Sequence, residues 1–244
     1  MEIRRNSLID YFLCSVFPRR CKYCGKVIKP ERTVCSDCEQ LPEIKDPVCM
    51  HCGCNEKDCV CKKKSHFYEM AAAPFYYEGA IKKAVGRFKF KGIYYLSDSF
   101  AQDMAKTLEN RLGEREYDFI TFIPFSKKQK RRREFNCSEL LARSLSEITG
   151  IECRELLKRI FDTDRQHLTG TVTRKGNVFG VYEVVDKNEV KGKKILIIDD
   201  IKTSGATVDE CAKMLRFRGA QYVDCLTFAI TKSKQDIDTD EEYW

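Results

Sequence analysis

The sequence predicts an α/β protein with a parallel sheet, preceded by a small cysteine module built to hold metal. Two observations carry this. Ten of the 14 cysteines lie between Cys14 and Cys61, leaving Cys137, Cys153, Cys211 and Cys225 for the rest of the chain. In the C-terminal half, the apolar runs around Ile195-Leu196-Ile197-Ile198 and Val223–Ile230 flank an amphipathic stretch, Val208–Arg218, closed by Gly219. Strand, helix and strand at that spacing form a βαβ unit, whose right-handed crossover makes the two strands parallel.

The remaining elements follow from periodicity. Ile81–Phe90 and Ser99–Leu112 read as helices. Phe119–Ile123 is a buried strand ended by Pro124. Ser138–Ile148 is a helix with Leu140, Leu141, Leu145 and Ile148 on one face, stopped by Gly150. Leu8–Phe17 reads as a short amphipathic helix. It carries Asp10, is too short to span a bilayer and has no small-residue cleavage site. These features argue against a secretory segment or membrane span and for a reducing, cytoplasmic setting. The expected division is a cysteine module with its N-terminal helix over 1–66, an α/β domain over 67–233 and an acidic tail over 234–244.

With 244 residues and 43% hydrophobic content, the chain can bury a core and is not globally disordered. Its 44 Lys+Arg against 37 Asp+Glu leave a net charge of +7. That balance permits nucleic acid or phosphorylated ligands as partners without demanding either.

The cysteines repeat one design. Cys21-Lys22-Tyr23-Cys24-Gly25 is followed by Cys35-Ser36-Asp37-Cys38, and Cys49-Met50-His51-Cys52-Gly53 by Cys59-Val60-Cys61. The C-x-x-C-G form is a tight knuckle that aims two thiolates at one ion, and four thiolates in a tetrahedron make a structural Zn²⁺ site. Eight make two sites. Disulfides would need secretion, and a Cys₄ iron–sulfur cluster, which usually has other spacings, is the second metal reading after zinc. The pairing is sequential or interleaved, and Cys54 or His51 could replace Cys52 or Cys61. Cys14 and the four later cysteines read as core.

The most informative stretch is Ile195-Leu196-Ile197-Ile198-Asp199-Asp200-Ile201-Lys202-Thr203-Ser204-Gly205-Ala206-Thr207. A buried strand leads into two carboxylates, a loop of small and hydroxyl residues and a helix N-terminus. Thr203, Ser204, Gly205, Ala206 and Thr207 can wrap a phosphate monoester with amides and hydroxyls. Asp199 and Asp200 can accept from sugar hydroxyls or help hold Mg²⁺. A phosphorylated sugar satisfies both halves. Neither G-x-x-x-x-G-K-[ST] nor G-x-G-x-x-G occurs, which removes the P-loop and the dinucleotide fingerprint.

This segment resembles the phosphoribosyl pyrophosphate (PRPP) motif of type I phosphoribosyltransferases. The chain from about Phe17 to Ile230 resembles the ComF competence proteins, a double zinc ribbon followed by a phosphoribosyltransferase domain. Tyr77-Glu78-Gly79 and Phe88-Lys89-Phe90-Lys91-Gly92 are similar to that family's Y-x-G and K-F-x-G elements. Ile123-Pro124 and Arg133-Glu134-Phe135-Asn136-Cys137 fall where it has P-V-P and R-G-F-N-Q. Arg159 to Thr163, Gln166, Leu168, Arg174 and Asn177 match its R-x-x-x-T…Q…L…R-x-x-N stretch. Glu134 and Cys137 depart from the family's glycine and glutamine, and Glu134 brings a carboxylate close to an anion site.

The resemblance implies that Asp199 and Asp200 bind the ribose hydroxyls and Thr203 to Thr207 the 5′-phosphate. It makes Lys89 to Gly92 the pyrophosphate loop, and puts Arg133 and Asn136 near the site. It further implies Mg²⁺ with PRPP, single-stranded DNA and competence-machinery proteins as partners, and a role in natural transformation. The alternatives are an active transferase passing phosphoribosyl to a nitrogen acceptor, with Asp199 and Asp200 in its catalytic centre, and a PRPP-sensing nucleic-acid regulator.

Two basic stretches suit a nucleic-acid backbone. One comprises Lys127, Lys128, Lys130, Arg131, Arg132 and Arg133. The other comprises Lys82, Lys83, Arg87, Lys89 and Lys91, interleaved with Phe88, Phe90, Tyr94 and Tyr95, whose rings are either core or stacking platforms.

Overall fold

A computed structural model of the chain describes residues 18–61, 65–126, 130–131, 134–160 and 181–232. The helix expected over Leu8–Phe17, Cys14, the acidic tail, and the motif positions Thr163, Gln166, Leu168, Arg174 and Asn177 lie outside the described residues.

In chain order the elements are β1 (Ala71–Ala72), β2 (Phe75–Tyr76), α1 (Gly79–Phe90), α2 (Leu96–Leu112), β3 (Phe119–Phe122), α3 (Cys137–Thr149), β4 (Leu157–Arg159), β5 (Tyr182–Val184), β6 (Lys194–Lys202), α4 (Ala206–Phe217) and β7 (Tyr222–Ile230). The main sheet is parallel. β1 and β2 both pair with β7, β7 pairs with β6, and β6 pairs with β3. β4 and β5 form a separate antiparallel pair.

Strands covered on both faces read as continuous apolar runs, and period-2 alternation sends their side chains to two cores. Leu196, Ile198, Leu226 and Phe228 face α1, α2 and α3. Ile195, Ile197, Val223 and Cys225 face α4 and the β4–β5 pair. Phe228 stacks on Phe100 of α2 with centroids 3.9 Å apart. In α1 the buried stripe is Ile81, Ala84, Val85 and Phe88, the i, i+3, i+4, i+7 set of an amphipathic helix. The Asn136 side chain caps α3 by accepting from the Ser138 N–H.

Each helix and strand read from the sequence within the described residues is present, with boundaries moved by a few residues. The largest change is in β6, which runs on from Ile198 to Lys202 because Asp199, Ile201 and Lys202 stay paired with Thr227, Ala229 and Ile230 of β7. β1 and β2 were invisible to periodicity. They are two residues each, separated by Ala73 and Pro74.

The cysteine module is built into this body. Cys21, Tyr23, Cys35 and Cys38 belong to the core under α1 and α2. Cys52 and Cys54 pack with Ile44, Ala73, Tyr76 and Ile230. Lys22 and the Tyr23 hydroxyl both reach Asp103 of α2 at 2.9 Å, and Arg87 of α1 donates to the Tyr23 carbonyl at 2.9 Å. Arg111 of α2 donates to the carbonyls of Ala73, at 2.7 Å, and Ile44.

Arg111→Met strands two half-buried carbonyls and cuts this tie. It should lower unfolding free energy by about 2 kcal/mol, read as a lower urea midpoint at unchanged m-value.

Candidate functional site

β3 and β6 are neighbours, yet the chain leaves them toward opposite faces, β3 to α3 on one side and β6 to α4 on the other. Such a reversal opens a crevice beyond the carboxyl ends of the strands, where α/β sheets bind ligands. A cavity of about 220 Å³ lies there. Asp199, Asp200 and Ile201 line it from β6, Thr207 from the first turn of α4, and Ile123, Pro124 and Phe125 from beyond β3. Asn136, Cys137 and Ser138 line it from the start of α3, Lys89 from the last turn of α1, and Arg159 and Tyr182 from β4 and β5.

The two acids are compensated differently. Asp200, 7% exposed, pairs with the Lys89 ammonium at 2.9 Å. Asp199 accepts from the Ser138 hydroxyl at 2.7 Å and from the Asp200 N–H at 2.9 Å. Burial, then the Asp200 charge, raises the Asp199 carboxyl from 3.8 to about 7, against the opposing pull of Ser138 and Lys89. The turn after β6 is short. Thr203 and Ser204 are exposed, Gly205 is buried with φ 77°, and Ala206 opens α4. A Cβ on Gly205 would lie 3.3 Å from the Tyr68 hydroxyl and 3.4 Å from Lys202 Cε, so the backbone sits close on that floor. The helix N-terminus behind it offers free N–H groups and partial positive charge.

Of the residues singled out in the sequence, Asp199, Asp200, Thr207 and Lys89 line one cavity. Thr203, Ser204, Gly205 and Ala206 form the adjoining turn. Lys89 belongs to a helix rather than a loop, and Gly92 lies in the turn that follows. Glu134 is spent elsewhere. Its carboxylate accepts from the Tyr94 hydroxyl at 2.8 Å, and it faces a neighbouring cleft of about 740 Å³ lined also by Lys130, Phe135 and Lys158. That cleft shares Pro124, Phe125, Asn136 and Arg159 with the smaller cavity. Ser138 was missed, since a serine opening a helix carries no signal of the strand it will face. Lys202 was missed although it sits inside the motif.

Lys130 and Arg131 are exposed, whereas Lys127, Lys128, Arg132 and Arg133 lie outside the described residues. In the second basic group Phe88 is core, but Phe90, Tyr94 and Tyr95 are 47%, 45% and 62% exposed. Lys82, Lys83 and Lys91 are exposed as well.

The cysteines resolve into sequential clusters, Cys21, Cys24, Cys35 and Cys38, and Cys49, Cys52, Cys59 and Cys61. Within each, the sulfurs lie within 4.8 Å of one another. A tetrahedral Zn²⁺ with 2.3 Å bonds sets its sulfurs about 3.8 Å apart, so both sets fit structural zinc. The two knuckles fold alike, with Gly25 N–H donating to Cys21 O and Gly53 N–H to Cys49 O. Burial raises the Cys21 and Cys49 thiols, but backbone N–H donors outweigh it and bring them down to about 6 and about 7. Cys54 is buried outside the second cluster. Cys137, Cys211 and Cys225 are core, as expected, and Cys153 is partly buried.

The parallel α/β domain has a fold of the phosphoribosyltransferase type, and a family model described as a phosphoribosyl transferase domain matches residues 140–244. The resemblance to ComF proteins is borne out along most of the chain. Competence protein ComFC of Streptococcus pneumoniae is 29% identical over 234 residues, covering 87% of this chain and 100% of that one. Competence protein F of Haemophilus influenzae is 26% identical over 227 residues, 86% and 96%. DNA utilization protein YhgH of Escherichia coli is 26% identical over 209 residues, 83% and 86%. Among solved structures, an adenine phosphoribosyltransferase from Thermoanaerobacter pseudethanolicus matches at 14% identity and a TM-score of 0.38, over 58% of this chain and 83% of that one. No helix of the described residues is long and apolar enough to cross a membrane.

The raised Asp199 carboxyl has a pH signature. Between 3.8 and about 7 the folded state keeps a proton that the unfolded chain has released, so stability falls as pH rises through that window. Asp199→Asn removes the fall. In thermal melts without ligand it should match wild type near pH 4 and exceed it by about 3–8 °C at pH 8.

Proposed function

We propose that the protein is a cytoplasmic, competence-type DNA-handling protein that acts on single-stranded DNA and whose α/β domain binds PRPP or a related phosphoribosyl ligand. The observation that carries the ligand half is the convergence of Asp199, Asp200, Lys89 and Thr207 on one cavity at the crevice between β3 and β6. Asp199 and Asp200 accept from the ribose hydroxyls, and the turn from Thr203 to Thr207 at the head of α4 holds the 5′-phosphate. Lys89 exchanges the Asp200 carboxylate for the pyrophosphate, with Gly92 in the turn beyond it. Mg²⁺ accompanying the ligand supplies further charge neutralisation. The two cysteine clusters hold one structural Zn²⁺ each, and the module over 1–66 serves the domain over 67–233.

The DNA half rests on the names of the relatives, competence and DNA utilization. It rests also on the exposure of Phe90, Tyr94 and Tyr95 and of Lys82, Lys83 and Lys91 in the same stretch of sequence. Cations track phosphates, and open rings stack unpaired bases. The sequence carries a second basic run, Lys127 to Arg133, of which Lys130 and Arg131 are exposed, and other competence proteins are the protein partners.

A second reading, active phosphoribosyl transfer to a nitrogen acceptor, is favoured by the cleft of about 740 Å³ that adjoins the smaller cavity and could seat an acceptor. Catalysis there would rest on positioning and charge rather than on a strong base. Release of pyrophosphate from PRPP with a base present, lost in Asp200→Ala, would establish it.

Calorimetry should show PRPP binding that Asp200→Ala weakens at least tenfold. The same variant should bind an oligothymidylate as wild type does. Neutralising Lys83, Lys91, Lys130 and Arg131 together should weaken oligonucleotide binding and lower its salt dependence, with PRPP affinity retained. Metal analysis should find about two zinc per chain. Failure of wild type to bind PRPP or the oligonucleotide removes the corresponding half of the proposal.

A further inference from the structure

Lys202 is the last residue of β6 and directly precedes the phosphate turn, yet its side chain is 5% exposed and runs beneath that turn. A Cβ on Gly205 would meet Lys202 Cε at 3.4 Å and Cδ at 3.9 Å. The stem is therefore part of the floor on which the turn rests. Its ammonium donates to the main-chain oxygen of Cys52 at 2.9 Å, and Cys52 is a member of the second cysteine cluster.

The knuckle at that end has little slack. Met50 O accepts from Ala71 N–H at 2.7 Å. A Cβ on Gly53 would fall 2.7 Å from Ile230 Cδ1 and 3.0 Å from Ala71 O. Lys202 is itself paired with Ile230 across β6 and β7, and its carbonyl accepts from Thr231 N–H at 3.1 Å. Knuckle, strand ends and phosphate turn form one packed block with Lys202 passing through it.

We propose that Lys202 couples the second cysteine cluster to the phosphate turn, so that metal held by Cys49, Cys52, Cys59 and Cys61 and phosphate held by residues 203–207 strengthen each other's binding. The proposal rests on the phosphate reading of that turn. Four thiolates around one divalent cation leave a net negative centre, and a buried ammonium one carbonyl away offsets it. Loss of the metal frees the knuckle and withdraws the Cys52 oxygen. A buried ammonium without an acceptor is costly, so the Lys202 side chain must move, and the floor under Gly205 moves with it. A coupling between two sites is reciprocal, so phosphate that fixes the turn also fixes the knuckle.

The experiment follows zinc release to a chromogenic chelator from the zinc-loaded full chain, with and without PRPP. The expected result is two release phases, of which saturating PRPP slows one about tenfold. In Lys202→Met, which keeps the stem and deletes the donor, that selective slowing is lost. A Cys59→Ser/Cys61→Ser variant should bind PRPP about tenfold more weakly. No slowing in wild type, equal slowing of both phases (global stabilisation), or undiminished selective slowing in Lys202→Met would overturn the coupling. If Lys202→Met fails to fold, Lys202→Gln takes its place with the same two outcomes. Absence of calorimetric PRPP binding to the zinc-loaded wild type defeats the phosphate reading itself, and the coupling with it.

Discussion

Two carboxylates side by side at the end of a buried strand make a costly arrangement, because burial and mutual repulsion both disfavour their charged forms. The fold answers with groups from separate elements, the Lys89 ammonium from α1 and the Ser138 hydroxyl from α3. Each is delivered by core packing immediately beside it. Phe88, next to Lys89, contacts Phe100 and Phe135 at 5.5 and 5.7 Å between ring centroids. Leu141, Ala142 and Leu145 seat α3 on the same core. Asp224 shows what a purely structural acid looks like in this sheet. It is fully buried near the start of β7, accepts from the Tyr117 hydroxyl and the Met70 N–H at 2.9 Å each, and has Arg115 at 3.8 Å. It lines neither cavity, whereas Asp199 and Asp200 open onto one. That difference supports the reading of the pair as a binding site.

The cysteine module follows from the same economy of surface. A segment this short cannot bury a core of its own, and it borrows one at each end. The first cluster shares the layer under α1 and α2, and the second lies against β2 and the end of β7. Metal held by the clusters would stabilise the same backbone as the body does, and the module is closer to an extra layer of the domain than to a separate bead.

Much of this was legible before any coordinates. The run Ile195–Ile198 had to be a buried strand, the helical stripes had one apolar face each, and C-x-x-C-G followed by a second cysteine pair could close on one ion. Local pattern carries that information because it concerns neighbours in the chain. The rest depends on partners far away in sequence. β1 and β2 are strands only because β7 offers them a free edge. Lys89 reads as part of a loop by motif, but the amphipathic stripe ending at Phe88 keeps it in the last turn of α1. Cys54 and His51 were as plausible as Cys52 and Cys61 by type, and the cluster geometry decides against them. Lys202 carried no signal of its own inside the motif, and the strand pairing that continues through it goes with a side chain turned toward Cys52.

The net charge of +7 accordingly says little about what the cations do. Along α1 alone, Arg87 is committed to the Tyr23 carbonyl in the first cysteine knuckle, Lys89 to Asp200, and Lys82 lies over the Tyr77 ring at 5.8 Å. Lys83, and Lys91 just beyond the helix, are exposed. One helix thus carries three different electrostatic tasks on three sides, toward a metal module, an acid pair and the outside. Since α1 is buried along Ile81, Ala84, Val85 and Phe88, it behaves as a rigid body. Lys89 and the exposed lysines thus share one helix, which is also bonded to the first cysteine knuckle through Arg87.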